Sequence, residues 1–198
     1  MNHQRIAWIV VLLIVLEFFV YWYDIVRGRV TTTLVTWLVT TVATGLIMVV
    51  VYLRNGNLNM KQNASLVTGF VVLTLITGVV YREDASVEWT QFHTFVTVVS
   101  VAGFVLYIWQ RRHALASVLV INAAIVIGFI PMWVGLWHGS VAESLPTWTL
   151  VFVSSLLATI SIVVDRKDGH LLTVVFPARA AATSGVVIVM SLWNMFWR

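Results

Sequence analysis

The stretch Thr31-Thr-Thr-Leu-Val-Thr-Trp-Leu-Val-Thr-Thr-Val-Ala-Thr-Gly-Leu-Ile-Met-Val-Val-Val-Tyr-Leu53 decides the fold. It is uncharged and matches the roughly 17–25 residues that a helix needs to cross a bilayer. Its hydroxyls are not scattered. Thr33, Thr36, Thr40 and Thr44 recur at intervals of three, four and four, which puts them on one helix face among Leu, Val and aromatic residues. A segment of this kind reads as a transmembrane helix with one polar stripe.

Working outward, six more runs of the same character follow from the sequence: about 6–26, 64–81, 89–109, 115–137, 147–164 and 180–197. With 60% hydrophobic and 10% charged residues in 198, and a mean hydropathy of +0.94, no segment has the composition of a soluble domain. The expected fold is an all-α, polytopic transmembrane helix bundle of seven spans, forming a single integral membrane domain over 1–198. Six spans are the alternative, because Pro177 and Arg179 interrupt the last run, whose start is placed at Ala180. The first run has Arg5 before it, as a signal peptide would. It lacks an A-x-A site, runs too long and contains Glu17, and is expected to be a retained helix.

Lys and Arg set the orientation. With the N-terminus cytoplasmic, Arg5, Arg54, Lys61, Arg111, Arg112, Arg166, Lys167 and Arg179 fall inside, against Arg27, Arg29, Arg82 and Arg198 outside. The inside excess favours that topology. Asp24, Glu83, Asp84, Glu88 and Glu143 then face outward. Tyr21, Trp22, Tyr23, Trp89, Trp137, Trp148, Trp193 and Trp197 map to the outer edge, and Tyr52, Tyr107 and Trp109 to the inner one, as interfacial aromatics do. The net charge of +4 is spread through short loops rather than gathered in a patch, so a membrane surface explains it and nucleic acid does not.

The chemistry must then lie inside the bundle. Besides the second span, the third carries Thr74, Thr77, Gly78 and Tyr81 on one side, and the fourth carries Thr90, His93, Thr97 and Ser100. Small hydroxyl residues also serve simply to let membrane helices pack closely, each interhelical bond contributing about 0.6 kcal/mol. His93 and Glu17 are different, because an ionisable group inside a span costs a few kcal/mol and usually faces a cavity or a partner. Measured from the outer ends of their helices, His93, Thr36 and Thr77 sit at similar depth, with Glu17 and Thr40 one to two turns deeper. That arrangement permits an outer-leaflet pocket holding hydroxyl, imidazole and carboxyl groups. It equally permits an interfacial histidine beside Trp89 and a protonated Glu17 bonded to a neighbouring helix.

No cofactor is expected. The chain has no cysteine, no lysine within a span for a retinal Schiff base, and no second well-embedded histidine to complete a haem. His3, His113, His138 and His170 fall at helix ends or in loops, and neither a zinc motif, nor G-x-S-x-G, nor a Gly-rich phosphate loop occurs.

The segment Leu75-Ile-Thr-Gly-Val-Val-Tyr81, followed after a short loop by Trp89-Thr-Gln-Phe-His93, resembles the bacterial relatives of the androgen-induced-gene-like membrane proteins. The Thr33-Leu-Val-Thr-Trp37 stretch is similar to the Ser/Thr-rich aromatic opening of that family's second helix. The resemblance covers about the first 110 residues. It departs at Trp133–Gly139, where the family has a Tyr/Pro-rich loop, and in span number, since the family usually has six. The resemblance implies an intramembrane hydrolase of fatty acid esters, with His93 as base and Thr36 as nucleophile, or Thr40 in its place. Glu17, Thr77, Tyr81 and Thr97 are then the expected substrate-binding residues, with no metal. Membrane lipids, a lipid-like substrate and a bacterial inner membrane location complete that reading. The alternatives are a small-solute transporter or substrate-binding membrane subunit, and an interaction protein without a ligand. The distance from the His93 ring to the Thr36 and Thr40 hydroxyls, and the presence of a cavity, separate them.

Overall fold

In the computed structural model, which describes residues 3–31, 34–56, 58, 60–83, 89–165 and 170–197, the chain is an all-α bundle. Its helices are α1 (His3–Val26), α2 (Leu34–Asn55), α3 (Met60–Glu83), α4 (Gln91–Trp109), α5 (Ala114–Gly128), α6 (Ile130–His138), α7 (Leu145–Asp165) and α8 (His170–Trp197). Helices α5 and α6 act as one bent span. Among the described residues seven spans are therefore long and apolar enough to cross a membrane. Their outward faces carry large apolar side chains, such as Trp8, Leu12, Leu16 and Phe19 along α1, as spans that face lipid do. The chain is a multi-pass integral membrane protein.

Helix α2 packs between α3, α4 and α5. Helix α8 packs against α7, α5 and α6, and α1 closes the bundle by lying along α3 and α7. Two local features shape the interior. Pro131, lacking an amide hydrogen, interrupts the ladder between α5 and α6, and the Phe129 amide is shared between the carbonyls of Ile125 and Val126. Gly128, just before the bend, has no room for a side chain: a Cβ there would lie 2.8 Å from Cγ2 of Val96 on α4. The glycine lets α4 and α5 close tightly one turn beneath His93. We expect Gly128→Leu to push these helices apart and lower the thermal unfolding temperature by several degrees, while the exposed Gly78→Leu, which meets no atom within 4 Å, leaves it unchanged.

The seventh span differs from the sequence expectation. It does not begin at Ala180: α8 runs unbroken from His170 with Pro177 inside it. Nor does Arg179 reach for the membrane surface. It turns inward, its Nε donating to Oδ1 of Asn122 on α5 at 3.1 Å, with the guanidinium 5.0 Å over the Phe176 ring. A buried acceptor and an aromatic face replace the water that snorkelling would have supplied. Arg179 thus leaves the count of inner-loop cations. Arg166, Lys167, Arg198, Asp84, Glu88 and Thr33 lie outside the described residues. With seven spans and the N-terminus inside, a reporter fused after Arg198 is expected to be active only on the outer side, and cytoplasmic activity would show that α8 does not cross.

Three aromatics assigned to the interfaces belong instead to the interior. Tyr21, Tyr107 and Trp148 are buried, whereas Trp22, Tyr23, Trp89, Trp137, Trp193, Trp197, Tyr52 and Trp109 are exposed as expected. Trp137, Trp193 and Trp197 stack in series, and the Asn194 amide donates to the Leu136 carbonyl beside them.

Candidate functional site

Helix α4 begins after Thr90, and His93 occupies its third position. The backbone amide of Thr90 donates to Nδ1 of His93 at 3.0 Å, and the Thr90 hydroxyl lies 2.8 Å from the same nitrogen. His93 thus fills the place that Glu or Gln takes in a capping box. The cap fixes the ring so that its other nitrogen, Nε2, meets the Thr36 hydroxyl of α2 at 3.1 Å. Since a backbone amide can only donate, Nδ1 accepts, and a neutral ring carries its hydrogen on Nε2. The resting imidazole donates toward Thr36.

The pair lines a cavity of about 170 Å³, bounded by Thr36, Trp37 and Thr40 of α2, Thr90 and His93, the bent segment Gly128–Met132, and Val141, Glu143 and Trp148. Its roof is a clasp between the end of α1 with the loop after it and the loop that leads into α7. The Thr31 amide donates to the Ala142 carbonyl at 2.8 Å, the Ser144 hydroxyl to Asp24 at 2.5 Å, and the Tyr21 hydroxyl to Glu143 at 3.2 Å. Ser144 also accepts from the Thr147 amide, starting α7. Trp148 Nε1 donates to Glu143 at 3.0 Å. Held this way, Glu143 is directed into the molecule rather than into solvent. Burial drives its pKa up from 4.5 to about 7, against the opposing pull of the hydrogen bonds from Trp148, Tyr21 and Ser144. Asp24 is likewise buried, and of the acidic residues assigned to the outer surface only Glu83 is exposed among those described.

The site residues expected from the sequence divide clearly. Thr36 and His93 touch. Thr40 lines the same cavity, but its hydroxyl donates to its own helix, to the Thr36 carbonyl at 2.8 Å. Thr97 bonds to the His93 carbonyl at 2.8 Å and does not line the cavity. Thr77 donates to Leu73 and meets Thr41 at 2.9 Å, joining α3 to α2 outside the cavity. Tyr81 is 72% exposed and Thr74 and Gly78 are exposed too, so of the α3 stripe only Thr77 turns toward a neighbouring helix. Glu17, expected to bind substrate beside His93, does not line this cavity: α1 packs on α3 and α7 rather than on α4, and Glu17 opens into a second, deeper cavity. Thr90 is the residue that orients the ring, and Glu143 is the carboxyl that shares its cavity. Neither role is marked by periodicity, though Glu-Ser-Leu-Pro-Thr-Trp148 carries a helix-start signal directly after the glutamate.

No known family, curated protein or solved structure matches the chain. The site therefore has to be interpreted from its own chemistry. Among the described residues no three His, Asp or Glu side chains gather as metal ligands would. What the cavity offers is a hydroxyl bonded to an imidazole, a carboxyl poised near neutrality and apolar walls.

Proposed function

We propose that the protein is a membrane-embedded hydrolase of lipid esters, acting at the Thr36–His93 pair in the cell membrane. The observation that carries this reading is the 3.1 Å contact between the Thr36 hydroxyl and His93 Nε2 on the wall of a cavity whose apolar lining includes Trp37, Phe129, Met132 and Trp148. Acyl chains suit such walls, and an ester carbonyl placed beside the pair meets both a hydroxyl nucleophile and an N–H donor. To act as base the ring must carry its hydrogen on Nδ1, which releases the Thr90 amide and leaves the Thr90 hydroxyl, 2.8 Å away, as the acceptor. The proton that Nε2 takes from Thr36 then leaves with the alcohol, and water releases the acyl group from Thr36 as the acid. Glu143, titrating near neutrality in the same cavity, is the second proton acceptor available to an attacking hydroxyl or water.

The test is turnover of a long-chain ester by the purified full chain, compared with His93→Gln and Thr36→Val. A second reading, a small-solute transporter, is favoured by one observation: the cavity shares its wall residues Trp37, Thr40, Phe129 and Trp148 with the deeper cavity. Saturable solute binding without ester turnover would select it. The interaction protein without a cavity has no such support.

A further inference from the structure

The deeper cavity, about 80 Å³, holds two ionisable groups that the proposed hydrolase does not use: Glu17 of α1 and Arg179 of α8. Arg179 gives its Nε to Asn122 and rests on the Phe176 ring. Among the described residues nothing accepts from its two terminal nitrogens, and no carboxylate stands within 4 Å of it. Glu17 likewise has no hydrogen-bond partner among them. A guanidinium stays charged at any ordinary pH, and an uncompensated cation inside a bilayer costs several kcal/mol. Two arrangements compensate it. Either Glu17 is ionised across the cavity, or Glu17 is neutral and an anion sits on the guanidinium.

We propose that this cavity is a binding site for a small monocarboxylate, held end-on by the terminal nitrogens of Arg179, and that the carboxylate binds together with a proton on Glu17. With Nε occupied, the two terminal nitrogens form the fork that matches a carboxylate's two oxygens. The volume limits the ligand to a few non-hydrogen atoms. Hydroxyls of Ser154, Ser155 and Thr183 are within the lining to complete its shell. Coupling to a proton follows from charge balance. One anion neutralises Arg179; a carboxylate and an ionised Glu17 together would leave an excess negative charge in a low-dielectric space. The faces packed around Glu17 bring no rival charge. Helices α3 and α7 contribute hydroxyls, a glycine and apolar groups, and the one other titratable side chain of the lining is Tyr21, one turn along α1. The proposal is independent of the proposed ester hydrolysis, which uses the Thr36–His93 pair of the other cavity.

The experiment is equilibrium binding of radiolabelled acetate to the purified full chain in detergent, from about pH 6 to about pH 8.5, where acetate itself stays ionised. One saturable site is expected at the lower pH, with affinity falling by up to about tenfold per pH unit once Glu17 ionises. Glu17→Gln should bind equally at both ends of the range, and Arg179→Lys, which keeps the charge but not the fork, should bind at least about tenfold more weakly. If Arg179→Lys does not fold, Ser155→Leu fills the cavity from α7 and should abolish binding. Absence of a saturable site in the wild type at pH 6 overturns the proposal. So does a Glu17→Gln protein with unchanged pH dependence, or full binding by the Arg179 or Ser155 variant. Ester turnover by the same preparations is scored separately, since loss of either property leaves the other intact.

Discussion

Ester turnover by the His93→Gln protein is expected to fall about 10²–10⁴-fold, the range that a positioned proton-transfer group contributes. Glutamine is the informative replacement because the third position of α4 also closes the helix end. Its side-chain oxygen reaches back to the Thr90 amide as the imidazole nitrogen does, so the cap survives while the Nε2 donor and base is lost. Alanine removes both and should add about 1 kcal/mol of destabilisation. Thr36→Val keeps the shape of the residue that meets His93 and should reduce turnover to a similar degree. Thr40→Val should retain most of it, since the Thr40 hydroxyl is spent on the Thr36 carbonyl. A His93→Gln or Thr36→Val protein that remains folded and fully active would end the hydrolase reading. Equal losses in Thr36→Val and Thr40→Val would instead show that the contact seen here is not the reactive one.

Glu143→Gln is expected to be more stable than the parent in alkaline buffer and no more stable in acid. The folded-state pKa is raised by burial, from 4.5 to about 7. Below pH 4.5 the carboxyl is neutral whether or not the chain is folded. Between 4.5 and 7 the unfolded chain releases a proton that the folded one keeps, so stability declines with rising pH, and above 7 the loss is complete at about 3 kcal/mol. Glutamine has no proton to lose, and its oxygen still accepts from Tyr21 and Trp148. Thermal unfolding in detergent at about pH 4 and pH 8 measures the difference directly. A variant less stable than the parent at pH 8 would mean that the ionised carboxylate is held favourably by its donors. If Glu143 also serves as proton acceptor, turnover in the parent rises through pH 7 and the variant loses that dependence, gaining stability at the expense of function.

How far the sequence carried depended on which physical signal each feature leaves. Span number was legible because a bilayer demands about 20 apolar residues, and every span supplies them. The α2 stripe was legible because Thr36, Thr40 and Thr44 follow the helix period and do face inward. On α3 the same spacing does not mark the inward side. Thr74 satisfies its hydroxyl on the Phe70 carbonyl four residues back, at 2.8 Å, and can therefore face lipid at little cost. A hydroxyl stripe thus fixes phase without fixing which side is inside. Arg179 reads as an interruption because its hydrogen-bond partner, Asn122, is 57 positions away on another helix. Glu143 read as a solvated loop residue because its burial is created by Tyr21 and Trp148, which come together only through the clasp between α1 and α7. Contacts across the bundle leave no periodic trace.

The cap on α4 also sets the tempo of the site. An imidazole on a surface hops between rotamers in picoseconds to nanoseconds. The His93 ring cannot turn without releasing the Thr90 amide, so its reorientation is governed by fraying of the first turn of α4. Hydrogen exchange at the Thr90 amide therefore serves as a clock for the site, reporting on each opening how often the ring is at liberty to face another way.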